Sequence, residues 1–384
     1  MKLLIISRGI PTKENPLNGI FEMDQARALS KAGHEVTLFV LDLRSIRRRR
    51  GFGRFEKMID GIRVYIGSYP IGAVSPGLMV KCGSRILLKM YKKVYSGEQK
   101  PDIIHAHFTE YGGMAARLSE KTGIPLVITE HSSIMAGQEV SKKLLQTAEK
   151  AYTSADCLIS VSRLLADNIL RLTGVRSEVV HNIIDGNVFC RKDRTGHDGF
   201  RFISVSNLNP RKRIDLLIRA FSLIKDKCPE AVLDVVGEGE ERQKLEKLAA
   251  SLRLGERVTF TGRLTRREIA DCFSRADCFV LPSERETFGV VYAEAMMAGL
   301  PVIATVCGGP EEFVPEAAGK VGHYDSPDTL ADVMEEMYHT AAEYRPAEIR
   351  EYAVTHFSPE IISERLTEIY RSVLDERNGE KGGE

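Results

Sequence analysis

The chain lacks a CxxC pair among its seven cysteines, lacks an apolar run long enough to cross a bilayer, and lacks His/Cys clusters at metal-ligand spacing. Each absence removes a class. Cys82, Cys157, Cys190, Cys228, Cys272, Cys278 and Cys307 form an odd, unpatterned set. That excludes a disulfide framework and reads as reduced thiols in a cytoplasm. The opening MKLLIISRGIP is too short in apolar residues for a signal peptide. No segment approaches the ~20 apolar residues of a membrane-spanning helix. No DxD stretch falls in a loop suited to a metal, so no metal and no cofactor are expected. VGEGE, 236–240, falls short of a dinucleotide fingerprint, and no RNP, KH or aromatic-platform pattern accompanies the basic residues, so nucleic acid is not an expected partner.

What is present is a chain of 384 residues, 43% hydrophobic and 28% charged, of a size for two soluble domains. Its net charge of +1 hides an asymmetry: between Arg44 and Lys100 there are 14 Lys/Arg against 3 Asp/Glu. Such a split suggests an anionic surface as partner.

Apolar runs alternate with helical spacing along the whole length. KLLIIS (2–7) precedes a Pro/Gly loop, then NGIFEMDQARALSKAG (18–33) has helical spacing and ends at a glycine suited to a helix C′ position. HEVTLFVL, DIIHAHF, PLVITEH and CLISVS are strands with helices between them. The polar segment CRKDRTGHDG (190–199) reads as a linker, after which FRFISVSN restarts the alternation. Continuous apolar strands alternating with helices mean parallel sheets covered on both faces. The expected organisation is an amino-terminal domain over 1–190, a linker at 191–199, a second domain over 200–357, and a last helix from 358 returning to the first domain before a polar tail. Both domains are read as doubly wound α/β units, with ligands bound beyond the carboxyl ends of their strands, in the cleft where the units face each other.

ERETFGVVYAEAMMAGLPV (284–302) places Glu286 before a helix and Glu294 about one and a half turns into it. Amides from Phe288 through Gly289 and Val290 to Val291 are the unpaired donors of that first turn, a ready site for a diphosphate. Two carboxylates flanking a diphosphate suit a nucleotide-sugar, one for the sugar and one for the ribose. The plainer alternative is that Glu286 caps the helix and Glu294 is an exposed helix residue.

LPSERETFGVVYAEAMMAGLPVIATVCGGPEEFV closely resembles the signature of family 4 glycosyltransferases, retaining enzymes of the GT-B fold, whose E-x7-E glutamates fall at Glu286 and Glu294. SNLNPRKRIDLLIRAF is similar to the family's phosphate-binding stretch, VVGEGEERQKLEKLA to its next strand–loop–helix, and VTFTGRL to its base-binding strand. HNIIDGNVF and NGIFEMDQARALSKAGHEVTL resemble further segments, so the likeness runs from about residue 1 to 374. It implies a GT-B fold of two Rossmann-like domains. Lys212 and the amides after Phe288 would stabilise the leaving diphosphate without a metal. Glu286 would hold a donor-sugar hydroxyl, unlike the carboxylate nucleophile of retaining glycosidases. Asn207, Arg211, Gly262 and Leu264 fall in the donor-binding stretches. Asn207 stands where family members commonly carry arginine, with Arg211 and Arg213 flanking Lys212 as substitutes for that charge. Thr287 stands where glycine is frequent.

In the first half the resemblance places His131, in PLVITEHSS, against the donor sugar and Ser162, in LISVSR, in the site. A lone histidine at a strand end is otherwise more often a satisfied hydrogen-bonder than a ligand. Gly19 gives the backbone room to approach a ligand. His105 and His107 in DIIHAH are expected on opposite faces of their strand, with one of them in the core.

The basic stretch RSIRRRRGFGRFEK (44–57) carries Arg47, Arg48, Arg49 and Arg50. The segment 76–97 reads as a basic helix with Lys89, Lys92 and Lys93 among apolar residues. Such segments lie on anionic membranes; the alternative is a solvated cationic face on an ordinary core-packing helix. Together these features lead to the expectation of a cytoplasmic, membrane-peripheral transferase. It would move a sugar from a nucleotide diphosphate, UDP ahead of GDP, to a lipid-linked glycan in surface polysaccharide synthesis. A same-family enzyme with a small soluble acceptor and a non-enzymatic nucleotide or nucleic-acid binder remain as alternatives.

Overall fold

A computed structural model describes residues 1–12, 15, 18–43, 52–72, 74–97, 99–137, 139–190 and 199–381. The chain forms two compact units: residues up to Ile183 together with the last helix, Pro359–Lys381, and residues Ile184–Ser358. The break falls ahead of the polar segment at 190–199, of which 191–198 lie outside the described residues.

The first unit is built on strands β1 (Lys2–Ser7), β2 (Glu35–Leu43), β3 (Gly53–Ile59), β4 (Ile62–Tyr69), β5 (Ile103–His107), β6 (Leu126–Glu130), β7 (Cys157–Ser160) and β8 (Glu178–Val179). Their order is β3-β4-β2-β1-β5-β6-β7-β8, parallel throughout except for the β3–β4 hairpin at one edge. Residues of β1, β5 and β6 are buried almost without interruption, as a sheet covered on both faces requires. Register sets Ile5 between Leu38 and His105, which puts a histidine at the centre of the sheet. The last helix packs Ile362, Leu366, Ile369, Tyr370 and Val373 into this core. It runs to Lys381, and the expected polar tail at 382–384 lies outside the described residues. Arg377 anchors the extension through Asp156, Nε to Oδ1 2.5 Å.

The second unit carries β9 (Phe200–Val205), β10 (Ala231–Val236), β11 (Val258–Gly262), β12 (Cys278–Leu281), β13 (Val302–Thr305) and β14 (Gly319–Gly322), all parallel, in the order β11-β10-β9-β12-β13-β14. The chain leaves β9 in one direction for β10 and β11, then returns to β12 on the other side. Strand order therefore reverses between β9 and β12, and the loops leaving these two strands diverge to open a crevice at their carboxyl ends. The first unit has its own reversal, between β1 and β5.

Candidate functional site

In the second unit the two loops at the reversal are 206–213 and 282–289. They are joined directly: Glu284 donates its amide to the Arg211 carbonyl at 2.8 Å. Pro210–Lys212 forms a single 3₁₀ turn, capped by Asn209, whose side chain accepts from the Arg211 amide at 3.1 Å. That turn sends Lys212 to Glu286, Nζ to Oε1 2.5 Å, with both side chains mostly buried. Ser283 donates to the same carboxylate oxygen at 2.7 Å, and the Glu286 amide is fixed on the Cys307 carbonyl at 2.9 Å. Arg213 is not a neighbour of this pair. It adopts a left-handed backbone (φ 51°) and bonds Asp325 at Oδ1 (3.0 Å) and at its carbonyl (2.9 Å). Of the substitutes considered for the charge missing at Asn207, Arg213 is thus spent elsewhere, while Arg211 and Asn207 are exposed at the same carboxyl edge.

The helix Val290–Met297 starts from Gly289, whose φ of 89° favours glycine. Phe288 is buried against Phe313 and Phe357, and a Cβ on Gly309 would stand 2.2 Å from the Phe288 carbonyl oxygen. Tyr292 closes a tight first turn onto the Gly289 carbonyl (3.0 Å), and its hydroxyl donates to the Leu281 carbonyl at 2.6 Å. At the other end Arg350 bonds the Met297 carbonyl, a cation at the negative end of the helix dipole. A helix start of this kind, with its first amides free of helix partners, can take a phosphate or diphosphate.

Glu294 is buried on this helix and accepts from Arg266, Nη2 to Oε1 3.3 Å; it is neither exposed nor idle. Arg266 begins the helix Arg266–Ser274, beyond β11, and lies over the Phe189 ring at 5.4 Å. A cation in a first turn opposes the helix dipole, so the sequence gives no local reason for it; Glu294 supplies one. Gly262 ends β11 with φ 78° and accepts from the Gly237 amide at 2.9 Å, and Leu264 is half-buried just beyond. The glycines of VGEGE have a packing reason: a Cβ on Gly237 would meet the Ser206 carbonyl oxygen at 1.8 Å, and one on Gly239 the Leu208 carbonyl oxygen at 2.1 Å.

In the first unit His131 follows β6. Its Nε2 lies 2.9 Å from His107 Nδ1 and its Nδ1 3.1 Å from Asn182 Oδ1. Phe21 stacks on the ring at 5.3 Å. Burial, with Arg8 nearby, lowers its pKa to about 3. His105 and His107 do not lie on opposite faces. Residues two apart on a strand share a face, and their rings stack at 4.8 Å. Both are fully buried: burial, then His131, brings His105 to about 3, and burial, His105, His131 and Arg8 hold His107 well below the usual range. Glu130, which the sequence did not flag, orients the turn. Its Oε1 accepts from the amides of His131 (2.9 Å) and Ser132 (2.8 Å), and its Oε2 from Thr109 and Tyr152. Ser162 is buried as the N-cap of the helix Arg163–Thr173, accepting from the Leu165 amide at 3.3 Å. Gly19 has φ 69°, and a Cβ there would stand 2.0 Å from the Gly9 carbonyl oxygen, so a close approach of the chain's own backbone already requires glycine.

Arg47, Arg48, Arg49 and Arg50 lie outside the described residues. The helix Pro76–Val94 buries Val80, Leu87, Met90 and Tyr91 against the unit, leaving Lys89, Lys92 and Lys93 exposed with Lys81 and Arg85. Most of its apolar face is spent in the core; outward it offers charge, with Leu78 exposed near its start. Among the described residues no helix is long and apolar enough to cross a membrane.

Comparison with known proteins agrees with this architecture. The model of the family "Glycosyltransferase Family 4" matches residues 23–187, and that of "Glycosyl transferases group 1" matches residues 190–355. The D-inositol 3-phosphate glycosyltransferase 1 of Catenulispora acidiphila is 27% identical over 398 residues, covering 94% of this chain and 91% of that one. A glycosyltransferase of Bacillus subtilis named for teichuronic acid biosynthesis, TuaC, is 29% identical over 332 residues, covering 80% and 82%. Among solved structures, Anabaena Alr3699/HepE in complex with UDP and glucose superposes with a TM-score of 0.71 at 20% identity, over 97% of this chain and 100% of that one.

Proposed function

We propose, for a chain that is a glycosyltransferase of the GT-B fold with a family 4 half and a group 1 half, that it transfers a sugar from a nucleoside diphosphate with retention of configuration. The observation that carries this is Lys212 held on Glu286 beside the start of the helix Val290–Met297. A diphosphate on that helix start would take Lys212 as its counter-charge, and the negative charge growing on the leaving group would fall on donors already in place, without a metal. Glu286, released from Lys212, would accept from a sugar hydroxyl. Glu294, oriented by Arg266, would take the ribose, and the segment from Gly262 to Leu264 the base. His131 is assigned to the donor sugar. Being neutral with both ring nitrogens bonded, it would serve there as an oriented group and not as a proton donor.

UDP is the preferred donor base, in keeping with the UDP named for the Anabaena structure. For the acceptor we favour a lipid-linked glycan at the cytoplasmic face of a membrane, with the exposed lysines of the helix Pro76–Val94 as the surface contact. A small soluble acceptor is the second reading, favoured by the burial of that helix's apolar face and by the inositol phosphate named for the Catenulispora relative. A thermal-shift titration with UDP, GDP and ADP tests the donor. A nucleotide at 100 times its Kd adds about 2.7 kcal/mol of stability. Stabilisation by UDP alone is expected, and silence from all three would sink the reading.

The ribose assignment has its own test. In Arg266→Ala, Glu294 loses the contact that orients it. The kcat/KM for the UDP-sugar is expected to fall by roughly 10-fold, on the order of one charged hydrogen bond, while that for its 2′,3′-dideoxy analogue changes little. Equal losses on both donors would remove the ribose from Glu294.

A further inference from the structure

We infer that Arg8 is an anion receptor for the acceptor, so that the enzyme glycosylates a molecule carrying a phosphate or carboxylate close to the receiving hydroxyl. The inference rests on the glycosyl-transfer reading and adds the acceptor's chemical class.

Arg8 is the first residue beyond β1, at the strand-order reversal of the first unit. Its guanidinium lies over the Phe108 ring, 4.0 Å from the centroid. Among the described residues none of its five side-chain N–H groups donates a hydrogen bond. Nε is buried without a hydrogen-bond partner, 3.8 Å from Glu22 Oε1. The side chain remains 39% exposed, leaving the outer edge of the fork open. Two further buried polar atoms at this reversal lack partners, Glu22 Oε2 and His107 Nε2.

The chain gives up local comfort to hold this arrangement. Phe108 has φ 70° and ψ 152°, a backbone region nearly exclusive to glycine, and this sharp turn at the end of β5 sets its ring under the guanidinium. Nε faces Glu22 as a long ion pair, 3.8 Å, so the side of the guanidinium left for a ligand is the outer fork of Nη1 and Nη2. A stacked, pre-positioned guanidinium with an unspent edge is what bidentate recognition of an oxyanion needs. Room for the rest of an acceptor exists on the same carboxyl edge. A cavity of about 340 Å³ begins at Gly9 and is lined by Thr12, Asn18, Asp42, Phe55 and Lys57.

The test is calorimetric titration of the full chain, saturated with UDP to block the diphosphate site, with glucose 6-phosphate, inositol 1-phosphate and glucose. Co-sedimentation with phosphatidylcholine vesicles, with and without polyprenyl phosphate, runs in parallel. At least one phosphate-bearing probe is expected to bind while glucose and plain vesicles do not. Arg8→Gln should weaken that binding at least 10-fold and Arg8→Lys by less, with UDP affinity unchanged in both. Binding of the soluble probes identifies a free acceptor; binding only to the polyprenyl phosphate vesicles identifies a lipid-linked one. Anion binding that survives Arg8→Gln, a loss of UDP affinity in its place, or no anion binding by the wild type would each overturn the inference. A wild type that fails to bind UDP would instead remove the glycosyl-transfer reading beneath it.

Discussion

Glu286→Gln is expected to abolish sugar transfer while leaving UDP bound at least as tightly as in the wild type; Lys212→Ala is expected to lose both. The two side chains are partners at 2.5 Å in the resting protein, so each is an obstacle as well as a contribution to the other's work. A donor can engage Lys212 through its diphosphate only by drawing the ammonium away from Glu286. Removing the carboxylate's charge removes that competition, and the lysine becomes freer for phosphate. The amide of glutamine still accepts from Ser283 Oγ, so the loop keeps its shape. What is lost is the charged acceptor for the sugar hydroxyl, and with it an interaction that grows toward the transition state. Removal of one electrostatic donor at a developing oxyanion costs about 100- to 1,000-fold in kcat, and Lys212→Ala should fall in that range or beyond. Single-turnover transfer with a radiolabelled donor, paired with UDP calorimetry, separates the two effects. Weaker UDP binding by Glu286→Gln would show that the carboxylate assists the nucleotide, and would end its assignment to the sugar. Because the residues touch, the double variant should cost less than the sum of the single losses.

The alternation of apolar strands and helices made both α/β units legible, and with them the loops that carry Lys212 and Glu286. Parallel strands buried on both faces write themselves as apolar runs, and loops at their carboxyl ends follow from topology. The β3–β4 hairpin is not legible because an edge strand with solvent on its outer side, GRFEKMI, has no such run; its charges read as part of a basic stretch. The basic helix at 76–94 is legible, but its spacing does not tell that Val80, Leu87, Met90 and Tyr91 go to the core while Leu78 stays exposed. The placing of His105 and His107 on opposite faces fails on the strand period: two residues along a strand return to the same face. The residues that organise the sites, Glu130, Arg266 and Arg8, left no motif. Each has a partner on another element, as Arg266 has in Glu294, 28 positions away. A buried carboxylate or a stacked arginine is defined by what surrounds it in space. The glycines at 237, 239 and 309 were the opposite case, visible as letters but with a purpose found only in the carbonyl that each would strike.

Acidification is expected to destabilise the protein steeply, beginning near pH 6.5, because His105 and His107 are buried in the neutral form. His105 accepts at Nδ1 from Tyr370 (2.6 Å) and Gln25 (3.0 Å), which leaves Nε2–H to donate to Thr129 at 2.7 Å. That arrangement is complete without a second proton, and the charged or chargeable groups that act on the pair, His131 and Arg8, all oppose one. The sign follows. Below about pH 6.5 the unfolded chain binds protons at these positions and the folded chain does not, so stability falls as pH falls. For His105 the loss continues toward its folded value of about 3. Each such histidine removes about 1.4 kcal/mol per pH unit below its unfolded pKa. With His131, lowered in the same sense, three of them cost roughly 4 kcal/mol per unit, a large share of an ordinary domain's 5–15 kcal/mol. Glu22 and Glu110 act in the opposite sense. Burial raises both, so the folded state takes up their protons first and gains stability over that interval. Wild-type melts alone would mix these contributions. The comparison with His105→Gln isolates the histidine, since glutamine can donate to Thr129 and accept from Tyr370 without titrating. Urea unfolding followed by circular dichroism between pH 7.5 and 4.5 should show a slope for the variant that is shallower by about one proton. Identical slopes would mean that His105 is protonated in the folded protein, and that the Tyr370–His105–Thr129 hydrogen bonds do not hold it neutral.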